Sequence, residues 1–227
     1  FCPPFVFTEE VGKILRTSHF LHQAELGAQD ISVDDSAALT GEVSGLMLKK
    51  LGVRYVIVGH SERRWKLGES DEVVNQKLKA VLRNEMVPIV CVGERIRDEN
   101  FFAKGEPASG WKEFLKNQVE ATFAGLTSEK ISRCIIAYEP VWAISTTPGA
   151  RPDTPKNALE LVSVIRDSLN TQYLILNTRF LYGGSITSAN AREFLGNDGF
   201  GGVLIGGASV NRQEFVKILS LGSEASK

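Results

Sequence analysis

From about residue 25 onward, short β-branched apolar runs alternate with stretches whose apolar positions recur at helical spacing. That alternation is the mark of parallel strands joined by crossover helices. The strand-like runs are 25–30, 53–59, 87–93, 134–138, 180–183 and 202–205. Several are apolar on both faces, as parallel strands covered on both sides should be. Residues 71–83 and 112–123 predict helices. Thr154-Pro155 opens another: Thr can cap free amides, Pro suits the first helical position, and Leu159, Val162 and Ile165 form the inward stripe. Gly52 and Gly125 fall where helices should stop. The pattern holds six complete strand-to-helix units, and Phe1-Cys2-Pro3-Pro4-Phe5 reads as the tail of one more strand. Periodicity alone leaves a closed barrel and an open doubly wound sheet as equal solutions.

The 227 residues suit one domain, 1–227, since α/β barrels commonly fill about 250 residues as a single core. With 26 Lys plus Arg against 27 Asp plus Glu the formal charge is −1, so no general electrostatic pull favours nucleic acid or membrane, and any anion must be held locally. No apolar run reaches the ~18 residues of a bilayer span, and the start lacks a basic-then-apolar signal pattern, so a cytoplasmic protein is expected. Cys2, Cys91 and Cys134 are far apart, form no CxxC pair and have no neighbouring His, which predicts buried thiols and no metal site.

Two strand ends carry candidate chemistry. The run from Val53 ends in Gly59-His60-Ser61-Glu62-Arg63-Arg64, a dense polar cluster where barrel sites sit. The run from Ile135 ends in Tyr138-Glu139-Pro140-Val141-Trp142-Ala143-Ile144. A Glu leaving an apolar strand beside Pro and Trp meets little water, which raises its proton affinity and suits general-base work; a rim salt bridge is the plainer alternative. Tyr182-Gly183-Gly184-Ser185 and Gly206-Gly207-Ala208-Ser209 follow the last two strands. Missing side chains there let backbone N–H groups approach an anion, and barrels often bind phosphate at these loops, although Gly pairs also make ordinary turns.

In order and spacing these segments resemble the triosephosphate isomerase family. The likeness extends through Gly27-Ala28-Gln29-Asp30, Thr40-Gly41-Glu42, Val90-Cys91-Val92-Gly93-Glu94 and Thr154-Pro155, covering essentially residues 1–220. It implies a TIM (β/α)8 barrel whose first strand and helix are missing from this chain, acting on a small phosphorylated triose with no cofactor. By motif match Glu139 would be the base, His60 the neutral electrophile and Glu62 a supporting carboxylate. That a helix N-terminus keeps such a His neutral is a device for which this family is itself the type example. The loop from Pro140 would be a lid closing over the substrate. Ser145, Ser185, Gly206 and Gly207 would contact phosphate, with Ile144 and Leu204 as an apolar clamp about Glu139. Thr40, Gly41 and Glu42 would form a loop inserted into a second subunit, implying a homodimer or higher homo-oligomer. Cys91 and Glu94 match a structural strand end.

Two departures stand out. The family's lid continues Ala-Ile-Gly-Thr-Gly-Lys, whereas this chain reads Ala143-Ile144-Ser145-Thr146-Thr147-Pro148-Gly149-Ala150-Arg151, with fewer flexible glycines and added length. The Asn-x-Lys that the family places on its first strand also has no counterpart, since Asn75-Gln76-Lys77 lies in a predicted helix. A start at Phe1 rather than Met, and the ~30 residues of an ordinary βα unit that would restore barrel length, are compatible with a leading segment not included, an engineered truncation or natural loss. Loss would leave a sheet gap for partner chains to cover. The leading reading is therefore an isomerase. The alternatives are a catalytically impaired or inactive sugar-phosphate binder, motivated by the Lys, and another phosphate-binding barrel enzyme, which has no reason to carry both strand-end motifs.

Overall fold

A computed structural model describes residues 1–18, 24–96, 110–170 and 178–225. They group into two compact units, Phe1–Val90 with Ala121–Ile135, and Cys91–Glu120 with Ile136–Lys227. The strands are β1 Gly27–Ala28, β2 Tyr55–Val58, β3 Val87–Val92, β4 Ile135–Tyr138, β5 Arg179–Tyr182 and β6 Gly202–Val203. All six expected runs thus contain a strand, shorter than the apolar run in most cases. The helices are α1 Phe5–Thr17, α2 Gly45–Lys50, α3 Ser61–Lys66, α4 Asp71–Arg83, α5 Gly110–Phe123, α6 Ser128–Ser132, α7 Pro155–Asn170, α8 Ala191–Leu195 and α9 Arg212–Ala225.

In the first unit, neighbouring strands are neighbours in sequence and run parallel, with Gly27 opposite Tyr55 and Tyr55 opposite Val87. The opening residues lie extended beside β1: Gly27 N–H donates to Phe1 O at 2.7 Å and Gln29 Nε2 to Cys2 O at 2.9 Å. The strand tail ends sooner than the sequence suggests. Pro4 caps α1, so Phe5 is helical, and α1 buries only Thr8, Gly12 and Leu15 while Val6 and Phe7 stay exposed. α4 runs over the predicted residues, with Ser70 Oγ accepting from Val73 N–H at its start. Gly52 and Gly125 both take positive φ just past a helix end, as expected.

Beneath α3 and α4 lies an ion cluster. Lys77 Nζ donates to both Asp30 oxygens at 2.8 and 2.6 Å and to Glu69 Oε1 at 2.6 Å. Arg63 Nη2 reaches Asp30 Oδ2 at 2.8 Å and Glu69 Oε1 at 2.7 Å. Burial pushes the Glu69 carboxyl up, but hydrogen bonds from Arg63 and Lys77 outweigh it and hold it below the ordinary range. Two cations therefore balance two carboxylates, and the Lys of Asn75-Gln76-Lys77 serves the scaffold of this unit.

In the second unit, β5 and β6 are parallel, Leu181 opposite Gly202 and Tyr182 opposite Val203. Glu139 N–H donates to Val92 O at 2.8 Å and Gly183 N–H to Tyr138 O at 2.7 Å, extending the ladder past the strand ends. Tyr182 stacks on Phe194 with centroids 3.9 Å apart and meets Phe200 edge-on at 5.9 Å. Thr154 Oγ1 accepts from Asn157 N–H at the start of α7. α7 buries Ala158, Leu161, Val162 and Ile165, so Leu159 stands at the edge of the stripe instead of within it, against Gly199.

Cys91 and Cys134 are buried and Cys2 is half-buried. Burial pushes the Cys134 thiol up to about 12. Among the described residues no helix is long and apolar enough to cross a membrane. Lys77→Met keeps bulk but leaves Asp30 and Glu69 buried with one cation between them. It is expected to lower unfolding free energy by about 3 kcal/mol, read from urea denaturation; an unchanged midpoint would show that the cluster is not stabilising.

Candidate active site

The candidate residues divide between the two units. His60, Glu62 and the Thr40–Gly41–Glu42 loop belong to the first, and Glu139, Ile144, Ser145, Ser185, Leu204, Gly206 and Gly207 to the second.

β2 delivers His60. The strand stops at Val58, Gly59 turns the chain at φ 70°, and His60 caps α3 at φ −51° and ψ 141°. Its carbonyl accepts from the Arg63 and Arg64 amides at 2.9 and 3.1 Å. Its Nδ1 accepts from Glu62 N–H at 3.3 Å. An accepting Nδ1 is unprotonated, so this hydrogen bond assigns the imidazole proton to Nε2. The Glu62 carboxylate accepts from Lys66 Nζ at 2.6 Å, a surface hydrogen bond that lowers its pKa. The Glu62 backbone N–H supports the imidazole directly, and the nearby His60 contributes to lowering the pKa of the Glu62 carboxylate.

The Thr40–Glu42 loop leaves β1 and is exposed, with Gly41 at φ 90°. Its base is tied down: Ser32 N–H donates to Val43 O at 2.9 Å, and Asp35 accepts from Arg83 Nε at 2.7 Å and Asn84 Nδ2 at 2.8 Å. Leu39 and Met47 beside it are 45% and 57% exposed, an apolar rim around a cleft of about 320 Å3.

β4 delivers Glu139, which is only 2% exposed. Its backbone carbonyl lies so close to Gly93 that a Cβ there would come within 1.9 Å of it, and a Cβ on Gly183 would come within 2.9 Å of its Cγ. Gly184 is crowded likewise: a Cβ there would come within 2.2 Å of the Tyr182 hydroxyl. These two glycines thus make room for Glu139 and Tyr182 first. Gly206 and Gly207 differ: a Cβ on either would meet nothing within 4 Å, so their backbone faces open space at the start of a 3-10 turn, Gly207–Val210. Leu204 is half-buried on the same loop, with its N–H on Tyr182 O at 2.9 Å.

After Glu139 comes the segment from Pro140. Val141–Ala143 form a 3-10 turn whose Val141 N–H donates to Glu94 O at 3.1 Å. Trp142 Nε1 donates to Glu94 Oε1 at 2.8 Å, and the same oxygen accepts from Tyr138 O–H at 2.8 Å. Glu94, 1% exposed, therefore anchors the segment that follows Glu139, a role its place at the end of β3 did not disclose. At the far end of that segment, Arg151 stacks over the Trp142 ring at 5.2 Å and its N–H reaches Trp142 O at 3.3 Å. Between them Ile144 is half-buried, and Ser145 N–H donates to Ser185 Oγ at 2.7 Å. The structure thus brings Ser145 and Ser185 together. Burial, reinforced by Asp153 close by, pushes the Tyr182 hydroxyl up, so it stays a protonated donor. Among the described residues no group of three or more His, Cys, Asp or Glu is arranged to hold a metal.

A family model described as triosephosphate isomerase matches residues 1–222. Triosephosphate isomerase of Saccharopolyspora erythraea is 42% identical over 224 residues, spanning 97% of this chain and 81% of the relative. That of Thermoanaerobacter sp. is 39% identical over 96% of this chain and 84% of the relative. Among solved structures, the crystal structure of triosephosphate isomerase from Bartonella henselae superposes with a TM-score of 0.78 at 33% identity, covering 97% of this chain and 84% of that one.

The contact between Gly93 and Glu139 is testable without reference to activity. Gly93→Ala has to push the β3 and β4 ends apart, and about 3 kcal/mol of stability is expected to be lost, the upper range of overpacking. A urea midpoint equal to that of the unsubstituted chain would mean that the approach is not tight.

Proposed function

This chain belongs to the triosephosphate isomerase family, with the α/β-barrel fold of that family, and we propose that its own residues carry out the family's aldose–ketose isomerisation of dihydroxyacetone phosphate and glyceraldehyde 3-phosphate as follows. The observation that carries the reading is Glu139, a carboxylate only 2% exposed at the end of an apolar strand, with the lid segment starting from the next residue.

Glu139 takes a proton from one substrate carbon, leaving an enediolate, and returns it to the neighbouring carbon after the hydroxyl proton of the enediolate has passed from one oxygen to the other by way of the His60 imidazole. Exclusion of water protects that intermediate, and the Glu94–Trp142 anchor supplies a fixed point from which the lid can move. His60, its proton on Nε2 because Nδ1 accepts from Glu62 N–H, polarises the carbonyl oxygen as a neutral donor. Glu62 supports it through its backbone N–H and as a nearby carboxylate. Phosphate binds to the N–H groups of Ser145, Gly206 and Gly207 and to Ser185, whose hydroxyl releases the Ser145 amide to the ligand. Ile144 and Leu204, both half-buried, line the apolar side.

The binder reading is not favoured, because relatives 42% and 39% identical over 97% and 96% of the chain carry the isomerase name. A homodimer, a cytoplasmic location and a single domain over 1–227 complete the proposal. The exposed Thr40–Glu42 loop and its apolar rim support the first; a monomer in sedimentation equilibrium would contradict it. Recovery outside the soluble cell fraction would contradict the second. Two separated unfolding transitions would contradict the third.

The catalytic assignment is tested by Glu139→Gln in a coupled assay of glyceraldehyde 3-phosphate consumption. The expected outcome is a kcat lowered by about a thousandfold, the scale of a positioned proton transfer. Equal rates in the two proteins would show that Glu139 is not the base.

A further inference from the structure

The cluster Ser61-Glu62-Arg63-Arg64 sends its two arginines to different places. Arg63 joins the ion cluster with Asp30, Glu69 and Lys77. Arg64 instead turns back under the start of its own helix. It is 9% exposed, and its Nε donates to Gly59 O at 2.7 Å, a buried hydrogen bond. Its two remaining nitrogens are held from other elements: Nη1 by Asp71 at the start of α4, and Nη2 by Thr122 Oγ1 near the end of α5 at 3.4 Å. All of these residues lie within the first compact unit.

The acceptor is what gives this arrangement meaning. Gly59 O belongs to the peptide that joins Gly59 to His60, and peptide planarity makes fixing that oxygen equivalent to fixing the His60 N and the direction in which its Cα leaves. The peptide would otherwise be the loose point of the segment, because Gly59 sits at φ 70° with no side chain to restrain it. Once the peptide is fixed, the hydrogen bond from Glu62 N–H to Nδ1 can set the ring. A guanidinium suits such a clamp because it is planar, always charged and able to grip three acceptors in different directions at once, which a lysine ammonium on a flexible stem does less rigidly.

We infer that Arg64 is a positioning residue that aims the His60 imidazole by clamping the Gly59–His60 peptide, with Asp71 and Thr122 holding the clamp. This rests on the proposed role of His60 in isomerisation. Arg64 touches no substrate in this account and acts only through His60.

The test uses the full chain with Arg64→Lys, measuring kcat and KM together with the 15N spectrum of the His60 side chain in the absence of substrate. The ligand-free chain without substitution is expected to show one neutral tautomer with the proton on Nε2. Arg64→Lys is expected to lower kcat by about tenfold to a hundredfold, the scale of a misplaced catalytic group, with KM changed less than about twofold and the two His60 nitrogen shifts averaged toward each other. Asp71→Asn, which leaves the guanidinium in place but removes one anchor, is expected to show the same two changes at smaller size and decides the matter if Arg64→Lys does not fold. Unchanged His60 shifts in the folded variant overturn the inference, whether or not kcat falls. Failure of the isomerase reading is separately visible, since it would leave the shifts responding to Arg64 in a protein with no isomerase activity.

Discussion

The approach of the β3 and β4 ends sets the conditions for the rest of the second unit. Gly93 abuts the Glu139 carbonyl, and the Glu139 N–H is bonded to Val92 O at 2.8 Å, so the backbone of the buried carboxylate has almost no freedom. From that fixed point the neighbouring choices follow. Gly183 has to lack a side chain because Glu139 Cγ occupies the space, and Gly184 because the Tyr182 hydroxyl does. Glu94, one residue beyond Gly93, is thereby placed to take both Tyr138 and Trp142, which ties the segment after Glu139 to the same strand ends. Preorganisation of this kind places a carboxyl group before any ligand arrives, and it comes from tight backbone packing instead of from flexible contacts.

The first unit reaches the same end by different means. There the catalytic candidate sits on a helix cap, and its orientation comes from hydrogen bonds: the Glu62 amide on the ring, and the Arg64 guanidinium on the preceding carbonyl. Beneath it, Asp30, Arg63, Glu69 and Lys77 form a charge-balanced cluster that holds α3 and α4 to β1. Buried charges of this sort are favourable only when their partners are complete, so the motif is dense in polar residues for structural as well as chemical reasons.

Much of this was legible in the sequence. Strand positions could be read because β2, β3 and β4 are buried on both faces and carry unbroken apolar runs. His60 and Glu139 stood out because each leaves such a run. α1 was not legible, since its buried residues include Thr8 and Gly12, which do not register as an apolar stripe, while the apolar Val6 and Phe7 face outward. The role of Glu94 was hidden for a different reason: its partners are 44 and 48 residues away, and no local pattern encodes a contact of that separation. The Gly pairs looked alike in sequence but differ in space, one filled by side chains of its own unit and the other open.

The account stands on proton transfer through a buried carboxylate, and hydrogen exchange at carbon reports on that step directly. Dihydroxyacetone phosphate should be converted in D2O by the unsubstituted chain and the product analysed by NMR. A carboxylate that holds the proton between two carbons, with time to exchange it, predicts deuterium at carbon 2 of part of the glyceraldehyde 3-phosphate formed. Product that forms at full rate with only the substrate's own hydrogen at carbon 2 would contradict the account, since it gives no sign of a base that holds the proton long enough to exchange it.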